Sequence, residues 1–329
     1  MSGGTTAATT ATDGDLRVSQ LSTASGRPRW SIAVFAHNEA GNIRAALRSV
    51  VAAAADYPVA VYVLANGCTD ATVDEVRACA GFLPNLWLVE IALGDKANAW
   101  NSFVHRLLRD EQVDGLQACF FMDGDVTLGA GALPLLASSL HAAPEADAAG
   151  GMPASGRDRD PWRRRMVMNG MLAGNLYALR GRFVRGLREA RIRIPVGLIG
   201  EDFLVSWLVA NIAWGGRETA PVPRTVFSPC AEFSFRSLSP WHPVDYRTYL
   251  RRRWRYTLRG IQFHMLITLL VEEGLAAMPA DTGELYARAA VPSGVRWLGP
   301  LQTVLQLLAV RKIRATQGSV AFVSQSPAQ

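Results

Sequence analysis

Residues 30–66 read WSIAVFAHNEAGNIRAALRSVVAAAADYPVAVYVLAN, and this stretch decides the fold class. Residues 30–36 and 59–64 are short, β-rich apolar runs. Between them, after Glu39, the apolar residues Ile43, Leu47, Val50 and Val51 recur at intervals of three and four, the spacing of one helix face. The unit is therefore strand, helix, strand. Working outward, residues 86–91 and 118–122 repeat the strand signature, and Lys96 to Leu108 carries Trp100, Phe103, Val104 and Leu107 at helical spacing. Such alternation predicts an α/β fold with a mostly parallel sheet, helices on both faces and a ligand site beyond the carboxyl ends of the strands.

Outside that core the signals change. Residues 1–28 are rich in Ser, Thr, Gly and Ala without apolar periodicity, which predicts a disordered tail. Residues 29–240 are expected to form the catalytic α/β domain, residues 241–318 a C-terminal helical region and residues 319–329 a loose tail. Helical stretches are expected near residues 162–172, 201–212 and 245–270. A last helix is expected at 295–313, where the stripe of Leu298, Leu301, Val304, Leu305 and Leu308 should pack on its own domain.

Composition narrows the class. At 49% hydrophobic and 19% charged residues, the 329-residue chain can bury a full core, which excludes general disorder and a small disulfide-stapled scaffold. Its four cysteines, Cys68, Cys79, Cys119 and Cys230, show no CxxC pairing and read as free thiols. No apolar stretch is long enough for a membrane span, and the first residues lack a secretory pattern, so a cytoplasmic location is expected. The net charge of +6 is uneven: residues 1–150 hold 9 basic against 16 acidic residues, and residues 151–329 hold 25 against 12. Eleven Arg lie between Arg157 and Arg193, and six Arg with no acid between Arg247 and Arg259. Solvated helix faces and an anion or membrane surface both account for these clusters.

The polar motifs of the first half sit at predicted strand ends. They are Ala36-His37-Asn38-Glu39, Asn66-Gly67-Cys68-Thr69-Asp70 and Met122-Asp123-Gly124-Asp125. A lone Asp-x-Asp is often only a turn with a capping carboxylate. At the end of a buried run, however, two carboxylates flanking a glycine repel unless a cation joins them, and their hard oxygens suit Mg²⁺ or Mn²⁺ bridging a diphosphate.

From residue 30 to 260 the sequence resembles the family 2 glycosyltransferases of the GT-A fold. The matching elements are Asn38-Glu39, residues 66–72 (NGCTDAT), residues 94–101 (GDKANAWN), Asp123-Gly124-Asp125 and Gly200-Glu201-Asp202. The resemblance implies a Rossmann-like GT-A domain and an enzyme that transfers a sugar, with inversion, from a nucleotide-diphosphate donor to a saccharide or lipid-linked acceptor. It implies that Ala36, Asn38, Glu39, Asn66 and Asp70 hold base and ribose, that Lys96 lies near the donor, and that Asp125, with Asp123, binds the metal. Asp202 is then the general base and Glu201 a positioning residue. His242 is a further candidate metal ligand, although a loop histidine with no ligand is the plainer reading. Gly170–Gly181 resembles the acceptor-side segment, and helix packing would use the same glycines.

Two departures matter. Asn66 stands where the family often has an acid, and Leu250 stands in place of Gln in the nearest match to the QxxRW motif of processive synthases, Leu250-Arg251-Arg252-Arg253-Trp254. Processive synthesis is therefore not expected, while Arg253 and Trp254 remain candidates to cover the leaving diphosphate. A bacterial envelope or exopolysaccharide setting follows from the likeness, with peripheral contact at the inner membrane face and no nucleic-acid partner. Two rival readings fit less of the sequence: a nucleotidyltransferase, which would carry a Gly-rich basic loop after the first strand, and a non-catalytic polyanion-binding homologue, which need not keep Asp123, Asp125 and Asp202 together.

Overall fold

In the computed structural model, which describes residues 10–23, 28–108, 113, 118–156, 158–212, 224–236, 243–292 and 299–324, the expected strands form with few changes of boundary. They are β3 (Trp30–Ala36), β4 (Val59–Asn66), β5 (Leu86–Ile91) and β6 (Ala118–Asp123). Every residue of β3 and β4 is buried. Strands covered on both faces need no polar alternation, which is why their sequences read as unbroken apolar runs. β3 lies between β4 and β6, and β5 extends the row beyond β4, all in parallel register.

This parallel core sits inside a larger mixed sheet. The flanking strands are β1 (Thr10–Asp13), β2 (Leu16–Gln20), β7 (Val126–Leu128), β8 (Ala148–Pro153), β9 (Leu176–Leu179) and β10 (Thr225–Phe235). The strand order is β1-β2-β5-β4-β3-β6-β9-β8-β10-β7. β8 and β10 are parallel, whereas β1–β2, β2–β5, β6–β9, β8–β9 and β7–β10 are antiparallel.

Both faces are covered. On one, α1 (Ile43–Ala54), α2 (Thr72–Ala78) and α4 (Ala132–Ala142) enclose Ile32, Val34, Val61 and Val63. On the other, α3 (Lys96–Ser102) brings Trp100 against Phe121, which also stacks on Tyr177 at 4.8 Å between ring centroids. The indole N–H of Trp100 donates to the Tyr177 hydroxyl at 2.8 Å, so the buried polar atom is satisfied. The helix continues as a π turn over Phe103–Leu107. Its wider turn rotates the following residues, and Leu108, rather than the expected Leu107, is fully buried. Two further helices, α5 (Arg159–Asn169) and α6 (Gly181–Glu189), follow in this part of the chain.

The chain divides into two compact units, Met1–Ala190 with Val205–Ser237, and Arg191–Leu204 with Leu238–Gln329. The second unit takes the first turn of α7 (Glu201–Asn211), then α8 (Pro243–Glu273), α9 (Thr282–Arg288) and α10 (Pro300–Ser324). Residues 191–204 are tied to these helices by backbone pairing: the Thr282 N–H donates to the Val196 carbonyl at 2.8 Å, and the Val196 N–H to Ala280 at 3.0 Å. Gln262 of α8, only 2% exposed, accepts from the Ile199 N–H at 3.0 Å and donates to the Tyr286 hydroxyl at 2.7 Å and the Gly197 carbonyl at 3.4 Å. Gln262→Leu would leave these buried partners unsatisfied and is expected to cost about 1–3 kcal/mol in urea unfolding. A loss below about 0.5 kcal/mol, the range of ordinary surface changes, would mean that water replaces the amide there.

Three expectations are corrected. The segment expected as a disordered tail, residues 1–28, contains β1 and β2. Leu16 is buried, and β2 pairs with β5 from Leu16↔Ile91 to Gln20↔Trp87. Those strands are too short to show a period, and what orders them is the edge of β5, which a long-range partner must supply. The tail expected from residue 319 is instead helical to Ser324. Finally, the stripe on α10 does not pack inward: Leu301, Val304 and Leu308 are exposed, while Ala309 and Ile313 are the residues buried, and Leu298 lies outside the described residues.

Candidate active site

The parallel register brings the carboxyl ends of β3, β4 and β6 to one edge: Ala36 pairs with Ala65, one residue before Asn66, and Phe35 pairs with Asp123. Glycines let the loops cross there. The Gly124 N–H donates to the Phe35 carbonyl at 2.7 Å, and a Cβ on Gly124 would lie 2.8 Å from that same oxygen. Gly67 has φ +57°, and its Cβ would lie 2.5 Å from the Gly94 Cα, so the loops after β4 and β5 meet glycine to glycine.

The polar residues form a hydrogen-bonded rim. Asn38, in the left-handed region at φ 58°, accepts through Oδ1 from the Thr69 N–H at 2.8 Å. Asp70 accepts from the Ala40 N–H at 3.1 Å and from the Thr72 N–H and hydroxyl at 3.0 and 2.5 Å, while the Thr72 hydroxyl accepts from the Glu39 N–H at 2.7 Å. Burial pushes the Asp70 carboxyl up, but these hydrogen bonds outweigh it and hold the group below its ordinary value. Glu39 moves the other way: burial raises it, and the neighbouring charges of Asp125 and Asp70 raise it further against the Asn42 hydrogen bond. Asn66 is buried, and its amide donates to the Ala36 carbonyl at 2.9 Å, clamping β4 to β3.

Lys96 opens α3, whose N-cap Asp95 accepts from the Asn98 N–H at 2.7 Å. The Lys96 ammonium lies 2.5 Å from Asp123 Oδ1 and 5.2 Å from the Phe35 ring centroid. Asp123 therefore already faces a cation, and Asp125, one turn position on, is exposed. Among the described residues no group of three or more His, Cys, Asp or Glu side chains could hold a metal alone. Two carboxylates on one turn fit Mg²⁺ or Mn²⁺, ions that complete their shells with water and phosphate oxygens. Asn98, which sequence reasoning did not single out, presents a buried Nδ2 with no acceptor among the described residues. That kind of orphaned donor has no signature in sequence. A cavity of about 480 Å³ is lined by Ala65, Gly67 and Cys68 and by Asp15 and Arg17 of the N-terminal hairpin.

Glu201 and Asp202 begin α7 after Gly200, which has φ +89°. Glu201 is buried and Asp202 half-buried, their negative charge at the helix end where the dipole favours it. Arg259 packs against Gly200, where a Cβ would meet its Cδ at 2.3 Å, and its guanidinium lies 4.1 Å from the Phe203 ring centroid. Arg253 and Trp254 both lie on α8; the Arg253 Nε is buried without an acceptor among the described residues, and Lys312 sits 6.0 Å from the Trp254 ring centroid. His242 lies outside the described residues.

The fold is similar to that of the mannosyltransferase PcManGT from Pyrobaculum calidifontis, solved with GDP-Man and Mn²⁺, at 20% identity and a TM-score of 0.52, over 92% of this chain and 77% of that one. Further similarities are to S. aureus TarS 1-349 (18% identity, TM-score 0.47, 89% and 91% coverage) and to glucosyl-3-phosphoglycerate synthase from Mycobacterium tuberculosis (18%, 0.44, 71% and 80%). No curated protein matches the sequence. The family model for glycosyl transferase family 2 matches residues 31–198, just over half of the chain and every strand-end motif from Asn38 to Asp125. The chain belongs to glycosyl transferase family 2.

Proposed function

We propose that this protein is an inverting, metal-dependent, non-processive glycosyltransferase. It moves a sugar from a nucleotide-diphosphate donor to an acceptor hydroxyl or a lipid-linked phosphate in bacterial envelope or exopolysaccharide assembly. The observation that carries the reading is the convergence of Asn38, Glu39, Asp70, Lys96, Asp123 and Asp125 at one edge of the parallel sheet, where α/β folds hold their ligands.

In this reading Asn38, Glu39 and Asp70 hold the nucleoside, while Ala36 and Asn66 shape its floor. Lys96 balances Asp123 and faces the donor phosphates. Asp125 and Asp123 would hold a divalent ion, and such an ion would neutralise charge on the leaving diphosphate. The family resemblance assigns Arg253 to the same anion and Trp254 to stacking over donor or acceptor, roles that suit a guanidinium and an indole. The Asp202 carboxylate accepts the proton of the attacking hydroxyl as its oxygen bonds to the anomeric carbon, and Glu201 positions the loop. No helix among the described residues is long and apolar enough to cross a membrane. The proposed setting, peripheral at the inner face of the plasma membrane, rests on the family resemblance and on the basic second half of the chain.

A thermal-shift series with UDP, GDP, dTDP and CDP sugars, with and without Mn²⁺, tests donor binding. A donor at 100 times its dissociation constant stabilises the fold by about 2.7 kcal/mol. One nucleotide should raise Tm, and more so with the metal; no shift with any of the four in the presence of Mn²⁺ or Mg²⁺ would sink the proposal.

A further inference from the structure

The exposed face of α10 is apolar first and basic second. Leu301, Val304, Leu307 and Leu308 are 43%, 51%, 53% and 47% exposed. Their spacing places them on one arc of the helix, and the same arc continues into Arg311, Lys312 and Arg314, all exposed. The roll of the helix is fixed from the opposite side. Ala309 and Ile313 are fully buried, the Gln302 amide donates to the Thr257 hydroxyl at 2.7 Å, and the Gln317 amide donates to the Tyr286 carbonyl at 2.6 Å. The helix thus presents four aliphatic side chains to solvent while its inner stripe is satisfied.

The charge around this face identifies what covers it. After Glu284 the sequence contains no acid to its end, while it holds Arg296, Arg311, Lys312 and Arg314 besides Arg288, which pairs with Glu284 and Glu273 at 2.8 Å. In the same unit, α8 carries Arg247, Arg251 and Arg255, all exposed, with Tyr249, Leu250 and Tyr256 exposed among them, and its exposed acids Glu272 and Glu273 stand apart at its last turn. A second copy of the chain would bring Arg311, Lys312 and Arg314 to the contact again, on a helix that carries no acid of its own. An anionic bilayer supplies both an apolar layer for the leucines and phosphates for the cations, the two terms that bind interfacial helices.

We propose that α10 docks this protein on an anionic lipid surface, with Leu301, Val304, Leu307 and Leu308 seated at the headgroup–acyl boundary and Arg311, Lys312 and Arg314 on lipid phosphates. The inference deepens the peripheral setting proposed above and rests on it for its biological purpose, but not for its physics.

The test is sedimentation of the full chain with vesicles of phosphatidylcholine alone and of phosphatidylcholine mixed equally with phosphatidylglycerol. The wild type should partition onto the anionic vesicles and be released as salt shortens screening below about 8 Å. Changing Leu301, Val304, Leu307 and Leu308 together to Ser should lower partitioning by about 10-fold or more, because buried methylenes hold interfacial helices. Changing Arg311, Lys312 and Arg314 to Gln should remove most of the salt dependence. Circular dichroism of both variants should match the wild type, since the altered side chains are exposed. Equal partitioning of wild type and the Ser variant, or binding indifferent to lipid charge, would overturn the proposal. So would a concentration-dependent dimer in light scattering that the Ser variant loses, since a second copy would then be the occupant. Nucleotide-induced Tm shifts measured on the same proteins report on the donor site alone, so failure there and failure of docking are separate results.

Discussion

An Asp202→Asn enzyme is expected to transfer sugar roughly 10²–10⁴ times more slowly than the wild type, the range lost when a general base is removed. The substitution is nearly isosteric. Asp202 Oδ1 accepts from the Phe203 N–H at 3.1 Å, and the Asn side-chain oxygen can keep that bond. The fold and donor affinity should therefore stay within twofold of the wild type, about 0.4 kcal/mol, while the chemical step slows. Glu201→Gln should do less damage to that step, because in the proposed mechanism the buried Glu201 positions the loop and Asp202 accepts the proton. An Asp202→Asn enzyme with near-normal turnover on an identified acceptor would move the base elsewhere.

The second large effect concerns the metal. Asp125→Ala should abolish metal-dependent nucleotide binding, read by calorimetry as a loss of the difference between titrations with Mn²⁺ and with chelator. Asp125 is exposed on the turn after β6, so its removal leaves the core intact, and the unfolding midpoint should hold. Asp123→Ala should behave differently. It removes the carboxylate 2.5 Å from the Lys96 ammonium and so should change the charge facing the proposed donor as well as the proposed metal site. Unchanged nucleoside-diphosphate affinity in Asp125→Ala with Mn²⁺ present would rule out the assigned ligand.

How much of this could be read in the sequence follows from the range of the interactions. β3 and β5 have the boundaries that their apolar runs predict, and α1 the face given by Ile43, Leu47 and Val50, because burial on both sides of a parallel sheet is written locally. Val51, on the edge of that stripe, is 40% exposed. The N-terminal hairpin was not legible, since five residues pairing with a distant strand carry no period. The π turn at Phe103–Leu107 was equally silent, and it exchanges Leu107 for Leu108 in the core. On α10 the leucine stripe misled because helical periodicity reports that a helix has an apolar face, not whether the protein or another surface covers it. At the site, the motif residues were visible as polar groups at strand ends. Their individual duties were not: Asn66 spends its amide on the Ala36 carbonyl, and Asn98 keeps a buried donor without an acceptor.

The proposed reaction is a single displacement at the anomeric carbon, and water can stand in for an unidentified acceptor. With the donor found in the nucleotide series, slow hydrolysis by the wild-type enzyme can be followed by proton NMR, reading the anomeric signal of the released sugar before mutarotation. The first sugar to appear should have the configuration opposite to the donor's, and Asp202→Asn should suppress its formation. A first-formed sugar with the donor's own configuration would contradict a single displacement.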